Sequence, residues 1–185
     1  MRTLFSGVFL AALLLAAGTA AAAPPKGYKF VRFEEGMRQA YEQKKPMFVL
    51  FGFDGCVHCA IIDRQVFREQ DIKEMLSGSY VLVYVDTLGA GETEPIKLIS
   101  GESITLKQLK TMYQVQGVPA FHFLESNGRP IMNGVGRQYG PGAFKAIHHY
   151  IADVHNGGKS RDVWIKEYGA ALARAMQAKA EVSEN

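Results

Sequence analysis

The sequence predicts an α/β domain, a central mixed sheet flanked by helices with an extra C-terminal helix, and three observations carry that prediction. Apolar runs of strand length at 46–53 (PMFVLFGF), read as a central strand buried on both faces, at 80–86 (YVLVYVD), a second buried strand, and at 120–124 (AFHFL), a further strand, supply the sheet. Stretches with apolar residues at helical spacing separate these runs. Asn127-Gly128, between AFHFL and the stretch Pro130–Met132, is a strong hairpin signal and adds antiparallel pairing to strands otherwise joined through helices.

The elements follow in order. Glu34–Lys44 has a polar helical pattern that ends in the basic turn Lys44-Lys45 and is closed by Pro46. The first strand runs to Phe53, Gly55 turns the chain, and from Val57 a helix carries Ile61, Ile62, Val66 and Phe67 as a stripe between charged Asp63, Arg64, Arg68 and Glu69. Asp71–Leu76 is a short helix, and Tyr80–Asp86 the second buried strand. Thr87–Glu94 is polar and glycine-containing, a mobile loop placed near any groove. Ile104–Tyr113 is the next helix. The hairpin follows, then Pro141–Val154, a helix opened by proline with Phe144, Ile147, Tyr150 and Ile151 on its apolar face. Gly157-Gly158 forms a hinge before a last amphipathic helix whose stripe, Ile165, Tyr168, Leu172, Ala175 and Met176, packs on the domain or faces a partner. The resulting order is βαβα, then ββα.

Ahead of this domain the chain starts with basic Arg2, an apolar run over Leu4–Ala17 and small residues over Thr19–Ala23, the layout of a secretory signal peptide. The run is shorter than the ~20 residues a membrane-spanning helix needs, so the expectation is a cleaved leader over 1–22 and no stable membrane anchor afterwards. The expected organisation is a signal peptide at 1–22, one domain at 28–155 and a helical extension at 156–185. The chain carries 21 basic and 18 acidic residues, and a leader holding one base, Arg2, and no acid lowers the excess to +2. So small an excess gives no electrostatic footprint for nucleic acid.

Chemistry concentrates in FDGCVHCAII, where the chain places both of its cysteines, Cys56 and Cys59, with His58 between them. A structural bridge over four residues would remove only about 2 kcal/mol of chain entropy, in a domain large enough to do without it. Structural zinc wants four ligands, whereas His58, His122, His148, His149 and His155 are scattered without a paired ligand motif, so no metal site is expected. A copper carrier using Cys56, Cys59 and a histidine stays open, because thiolates are soft ligands that suit Cu(I). His122 alternates with Phe121 and Phe123 on a central strand and reads as a satisfied core residue.

The strand before the pair and the helix after it put Cys56 at a helix N-terminus, where unpaired backbone N–H groups and the helix dipole favour thiolate over thiol. Cys56 is then the nucleophile that attacks a disulfide. Cys59, one turn later and shielded inside the helix, resolves the mixed disulfide. His58 either supplies positive charge or a hydrogen bond beside the Cys56 sulfur, which makes the couple more oxidising, or faces solvent without an electronic role. No cofactor is called for.

Strand, Cys-Val-His-Cys, helix, then Gly117-Val118-Pro119 before a strand, Asn127-Gly128, a second strand and a final helix together resemble the thioredoxin superfamily over Tyr28–Asp153. The resemblance implies a thioredoxin-like fold, a cis Val118–Pro119 bond facing the cysteine pair, and substrate binding by Val57, Val118 and Pro119, with the Val118 backbone taking the substrate as an added strand. A narrower likeness is to the periplasmic SoxW-type thioredoxins of bacterial sulfur-oxidation systems. It rests on the short approach Phe51 to Cys56, the insertion Thr87–Ile104 with Ile99-Ser100-Gly101-Glu102, and the run Tyr113–Phe121. It implies a periplasmic location, reduction of protein disulfides there, and electrons from a membrane thiol–disulfide donor of the DsbD/CcdA type. Two departures bear on direction. Gly55 stands where thioredoxin has Trp, and Leu50 where it has a buried aspartate, so the Cys59 proton must use water or another group. The Cys-x-His-Cys form looks more like a Dsb-type oxidase or isomerase, yet the chain lacks the large helical insertion of the oxidases and the dimerisation domain of the isomerases.

Overall fold

The computed structural model describes residues 24–88, 94–136, 139–167 and 169. The expected leader and the stripe residues Tyr168, Leu172, Ala175 and Met176 lie outside them. The fold is the expected one, a mixed four-stranded sheet in the order β2-β1-β5-β6 with helices on both faces. Strand β1 (Met47–Gly52) pairs in parallel with β2 (Val81–Asp86) and antiparallel with β5 (Ala120–Leu124), which pairs antiparallel with β6 (Pro130–Val135). Gly128, at φ +87°, makes the turn between the last two, as the Asn-Gly signal requires.

All six residues of β1 are buried, and their alternation builds two cores. Met47, Val49 and Phe51 face a layer formed by α1 (Phe33–Gln43) and α4 (Leu106–Met112). Phe48 and Leu50 face the opposite layer of α2 (Val57–Ile62), α3 (Gln70–Ser79) and α5 (Pro141–Tyr150). Phe48 meets Phe67, Phe121, Phe123 and Phe144 there, ring centroids 5.2–6.4 Å apart, each edge, tilted or stacked contact adding to the burial itself.

Several boundaries differ from expectation for local reasons. The helix expected to start at Ile104 begins at Leu106, because Thr105 caps it: its hydroxyl accepts the Gln108 N–H at 3.2 Å while the Gln108 side chain accepts the Thr105 N–H at 2.7 Å. Ser103–Ile104 (β4) instead pairs with Ile96–Lys97 (β3) in a small hairpin within the insertion. Its Lys97 N–H bonds the Glu34 carboxylate, tying the insertion to α1. Of the expected mobile loop, residues 89–93 lie outside the described residues. The N-terminal segment adds a parallel bridge of Val31 to Val83, with hydrogen bonds of 2.9 and 3.0 Å that cover part of the β2 edge. Helix α2 continues as a π-turn over Asp63–Phe67, where the Arg68 N–H reaches the Asp63 carbonyl at 3.1 Å.

Of the stripe expected on the C-terminal helix (α6, 161–167), only Ile165 is among the described residues. Ile165 is exposed, and the buried residue is Trp164, whose ring meets Tyr150 edge-on at 5.0 Å. The larger aromatic surface wins the contact. Among the described residues no helix is long and apolar enough to cross a membrane.

Candidate active site

The turn from β1 into α2 builds the site. Gly55 takes φ +79°, a left-handed conformation that glycine adopts without strain, and its N–H bonds the Asp54 carboxylate at 3.0 Å. The chain thereby reverses, and the Cys56 N–H closes the turn on the Phe53 carbonyl at 3.3 Å. Cys56 is the N-cap of α2, with extended φ/ψ, and its Sγ accepts the Cys59 N–H at 3.1 Å. The two cysteines are joined by a disulfide, their Cα atoms 5.2 Å apart across the first turn.

The expected shielding of Cys59 is not what this oxidised form presents. Cys56 is 8 % exposed, held against the turn by its N–H, and Cys59 is the more open of the two. Val57, 71 % exposed, and His58, also exposed, project from the first turn of α2. His58 makes no hydrogen bond or ion pair to another described residue.

The Val118–Pro119 peptide bond is cis, as the resemblance implies, and the Pro119 carbonyl accepts the Gly136 N–H at 2.7 Å, which fixes the loop to the end of β6. Val118 packs partly buried on the α1/α4 core. Pro119, Cys56 and Cys59 share an open cleft of about 480 Å³ whose walls include Pro24, Phe53 and Tyr84. The structure therefore brings Cys56, Cys59, Val57 and Pro119 to one cleft and leaves His58 at its outside.

Beneath the pair the sheet is apolar on β1 and phenolic on β2. Leu50, six residues before Cys56, is buried and pairs with Tyr84 in the parallel register. Burial, and then the charges of Asp86 and Asp54, push the Tyr84 hydroxyl up to about 12. The sequence pattern carries no sign of Tyr84 at the site, because its position there depends on strand register.

The other histidines stand apart from the cysteines. His122 is buried in the core as expected, yet its Nε2 has no hydrogen-bond partner among the described residues, and burial lowers its pKa to about 4. His148 Nδ1, on α5, lies 3.0 Å from the Tyr80 hydroxyl. Among the described residues no three His, Cys, Asp or Glu side chains cluster closely enough to hold a metal ion.

The sequence profile of the thioredoxin-like domain matches residues 33–152. Among solved structures, a thioredoxin-fold protein from Helicobacter pylori superposes with a TM-score of 0.54 at 18 % identity, covering 76 % of this chain and 87 % of that one. An oxidoreductase named DsbH gives 0.51 at 20 % identity, with 78 % and 92 % covered, and a putative disulphide-isomerase from Bacteroides thetaiotaomicron gives 0.51 at 21 %, with 70 % and 97 % covered. No curated protein matches the chain by sequence. A profile that spans most of the chain, the mixed sheet and the Cys56–Cys59 pair at the start of α2 agree: the chain belongs to the thioredoxin-like domain family.

Proposed function

We propose that this protein is a thiol–disulfide oxidoreductase that reduces disulfides of protein partners through Cys56 and Cys59. The observation that carries the reading is the Cys56 sulfur at the N-cap of α2, accepting the Cys59 N–H at 3.1 Å and opening onto the cleft that Pro119 shares. In the reduced protein the same N–H faces a thiolate, a stronger acceptor, so the geometry favours ionised Cys56. That thiolate attacks a substrate disulfide and forms a mixed disulfide while one substrate sulfur leaves. Cys59 then attacks the Cys56 sulfur, releasing the second substrate thiol and restoring the observed bond. Val57 on the rim and Val118-Pro119 form the surface that meets the substrate backbone.

The setting belongs to the same proposal. The leader-like start over 1–22 supports export to the periplasm, where the natural substrates are protein disulfides and the electrons come from a membrane donor of the DsbD/CcdA type. The insertion, with its hairpin at 96–104, and the run Tyr113–Phe121 support a SoxW-like assignment, with oxidised sulfur carriers among the substrates. His58, beside Cys56 in sequence, is the residue we assign to raise the potential above that of a strongly reducing thioredoxin.

The test is the equilibrium potential of the Cys56–Cys59 pair against glutathione. A value moderately above thioredoxin's, about −270 mV, supports the reductase direction together with the His58 assignment, and a value at that level removes the His58 role. One of about −120 mV replaces the reductase with a Dsb-type disulfide donor. Tight Cu(I) binding on both thiols, with no exchange against glutathione disulfide, would replace both with a copper-binding chaperone.

A further inference from the structure

Resolution of a mixed disulfide obliges Cys59 to lose its thiol proton as it attacks Cys56. On β1 the residue beneath the pair is Leu50, buried and unable to take a proton. Its neighbour across the parallel pair is Tyr84, and Gly52 shows how near the phenol comes. A Cβ at position 52 would lie 2.9 Å from the Tyr84 hydroxyl oxygen and 3.5 Å from the Cys59 Sγ, so hydroxyl and sulfur border one small space that only glycine leaves open. Tyr84 is half-buried, lines the cleft with both cysteines, and is flanked edge-on by Phe30 at 6.2 Å. The hydroxyl and the resolving sulfur thus border the same cleft.

We propose that the Tyr84 hydroxyl is the proton relay for Cys59 in the resolving step, an assignment that rests on the thiol–disulfide reading above. As the Cys59 Sγ bonds to Cys56 Sγ, its proton passes to the Tyr84 oxygen while the phenolic proton passes to water in the cleft. The bond between Cys56 and the substrate sulfur breaks, its electron pair leaves with that sulfur, and water protonates the departing thiolate. Cys59 is oxidised, the substrate sulfur is reduced, and Tyr84 ends as it began.

The surroundings suit a relay that never ionises. Burial, with Asp86 at the end of β2 and Asp54 in the turn, keeps the phenol protonated at neutral pH. The remaining charged groups on the cleft are Lys26 from the N-terminal segment and Asp63, Arg64 and Arg68 beyond α2, with Arg68 paired to Asp63 at 3.3 Å.

The experiment is single-turnover reaction of the reduced protein with oxidised glutathione, quenched and read by mass as the rise and decay of the Cys56 mixed disulfide from pH 6 to 10. Tyr84→Phe keeps the ring and its packing. Its mixed disulfide is expected to form at the wild-type rate and decay at least about tenfold more slowly at pH 7, the deficit narrowing toward the alkaline end of the range as hydroxide takes the thiol proton directly. Gly52→Ala, which crowds the hydroxyl, should show the same pH-dependent delay. Decay of Tyr84→Phe at the wild-type rate, or a deficit constant with pH, overturns the relay and leaves the thiol–disulfide reading standing. A wild-type protein that forms no mixed disulfide at all overturns both.

Discussion

Gly134 on β6 lies directly beneath the ring of Phe121 on β5, its partner in the antiparallel register, so close that a Cβ at 134 would sit 2.3 Å from the ring's Cζ. The ring is pinned from its other sides by Phe144 at 4.7 Å and Tyr139 at 4.9 Å, so it has nowhere to retreat. Gly134→Ala is therefore expected to destabilise the protein by about 1–3 kcal/mol through overpacking, a melting-point drop of roughly 3–10 °C. Phe121→Leu in the same chain should recover part of that loss, and thermal melts of the two single variants and the double variant form the cycle that shows it.

The proposed division of labour between the cysteines predicts an asymmetric pair of variants. Cys59→Ala keeps the N-cap sulfur and its backbone N–H donor but removes the resolving thiol, so incubation with oxidised glutathione should leave a stable adduct on Cys56. Cys56→Ala removes the nucleophile and should accumulate at least about tenfold less adduct over the same time, because the remaining thiol lacks the N-cap environment. Intact-protein mass reads both. Equal adduct on the two variants would reverse or erase the assigned roles.

The apolar face beneath the cysteines gives a third prediction. Leu50 is buried in the α2/α3/α5 core, so Leu50→Asp replaces packed surface with a carboxyl group that burial holds above its ordinary pKa. A carboxyl whose folded pKa is raised binds its proton more tightly in the folded state, so its penalty is smallest at acid pH and grows as pH rises through the folded value. Unfolding in urea should show a loss of about 3–5 kcal/mol at pH 8 and a smaller one at pH 4.5. A loss that does not vary with pH would mean that the new carboxyl reaches water.

The parts of this protein that sequence reading reached and missed separate on physical grounds. Strands β1, β2 and β5 are legible because a strand covered on both faces is written as an unbroken apolar run, and Asn127-Gly128 fixes the last hairpin. The Cys56–Cys59 pair at the start of α2 is legible from residue type and spacing, and the cis Val118–Pro119 bond from the family resemblance. The Val31 bridge and the two-residue strands β3 and β4 are too short to generate a period. Tyr84 escaped for another reason: its role follows from the β1–β2 register and the missing Cβ at Gly52, and neither is written in any local pattern. The contact of α6 with Tyr150 is made by Trp164, a single large ring whose place beside exposed Ile165 no periodic pattern signals.

His122 supplies the last prediction. It lies on β5 between Val49 and Asn133, its ring against Phe51 at 5.4 Å and Tyr113 at 5.5 Å, and it is 1 % exposed. The Tyr113 hydroxyl donates instead to the Gly128 carbonyl at 2.9 Å, and His122 Nε2 has no partner among the described residues. Burial lowers the folded pKa to about 4, below the ordinary value of 6.5. A folded pKa depressed in this way means that the unfolded chain takes up the proton first as pH falls. The stability this residue contributes is complete above about pH 6.5 and is lost progressively toward pH 4, by up to roughly 3 kcal/mol. His122→Leu removes the titration and the unpaired nitrogen while keeping an apolar side chain on the same face. The variant should therefore be at least as stable as the parent at pH 7 and clearly more stable at pH 4.5, with urea midpoints at the two pH values as the measurement. If parent and variant lose stability in parallel between those pH values, another group drives the acid sensitivity and His122 is already charged or solvated in the fold.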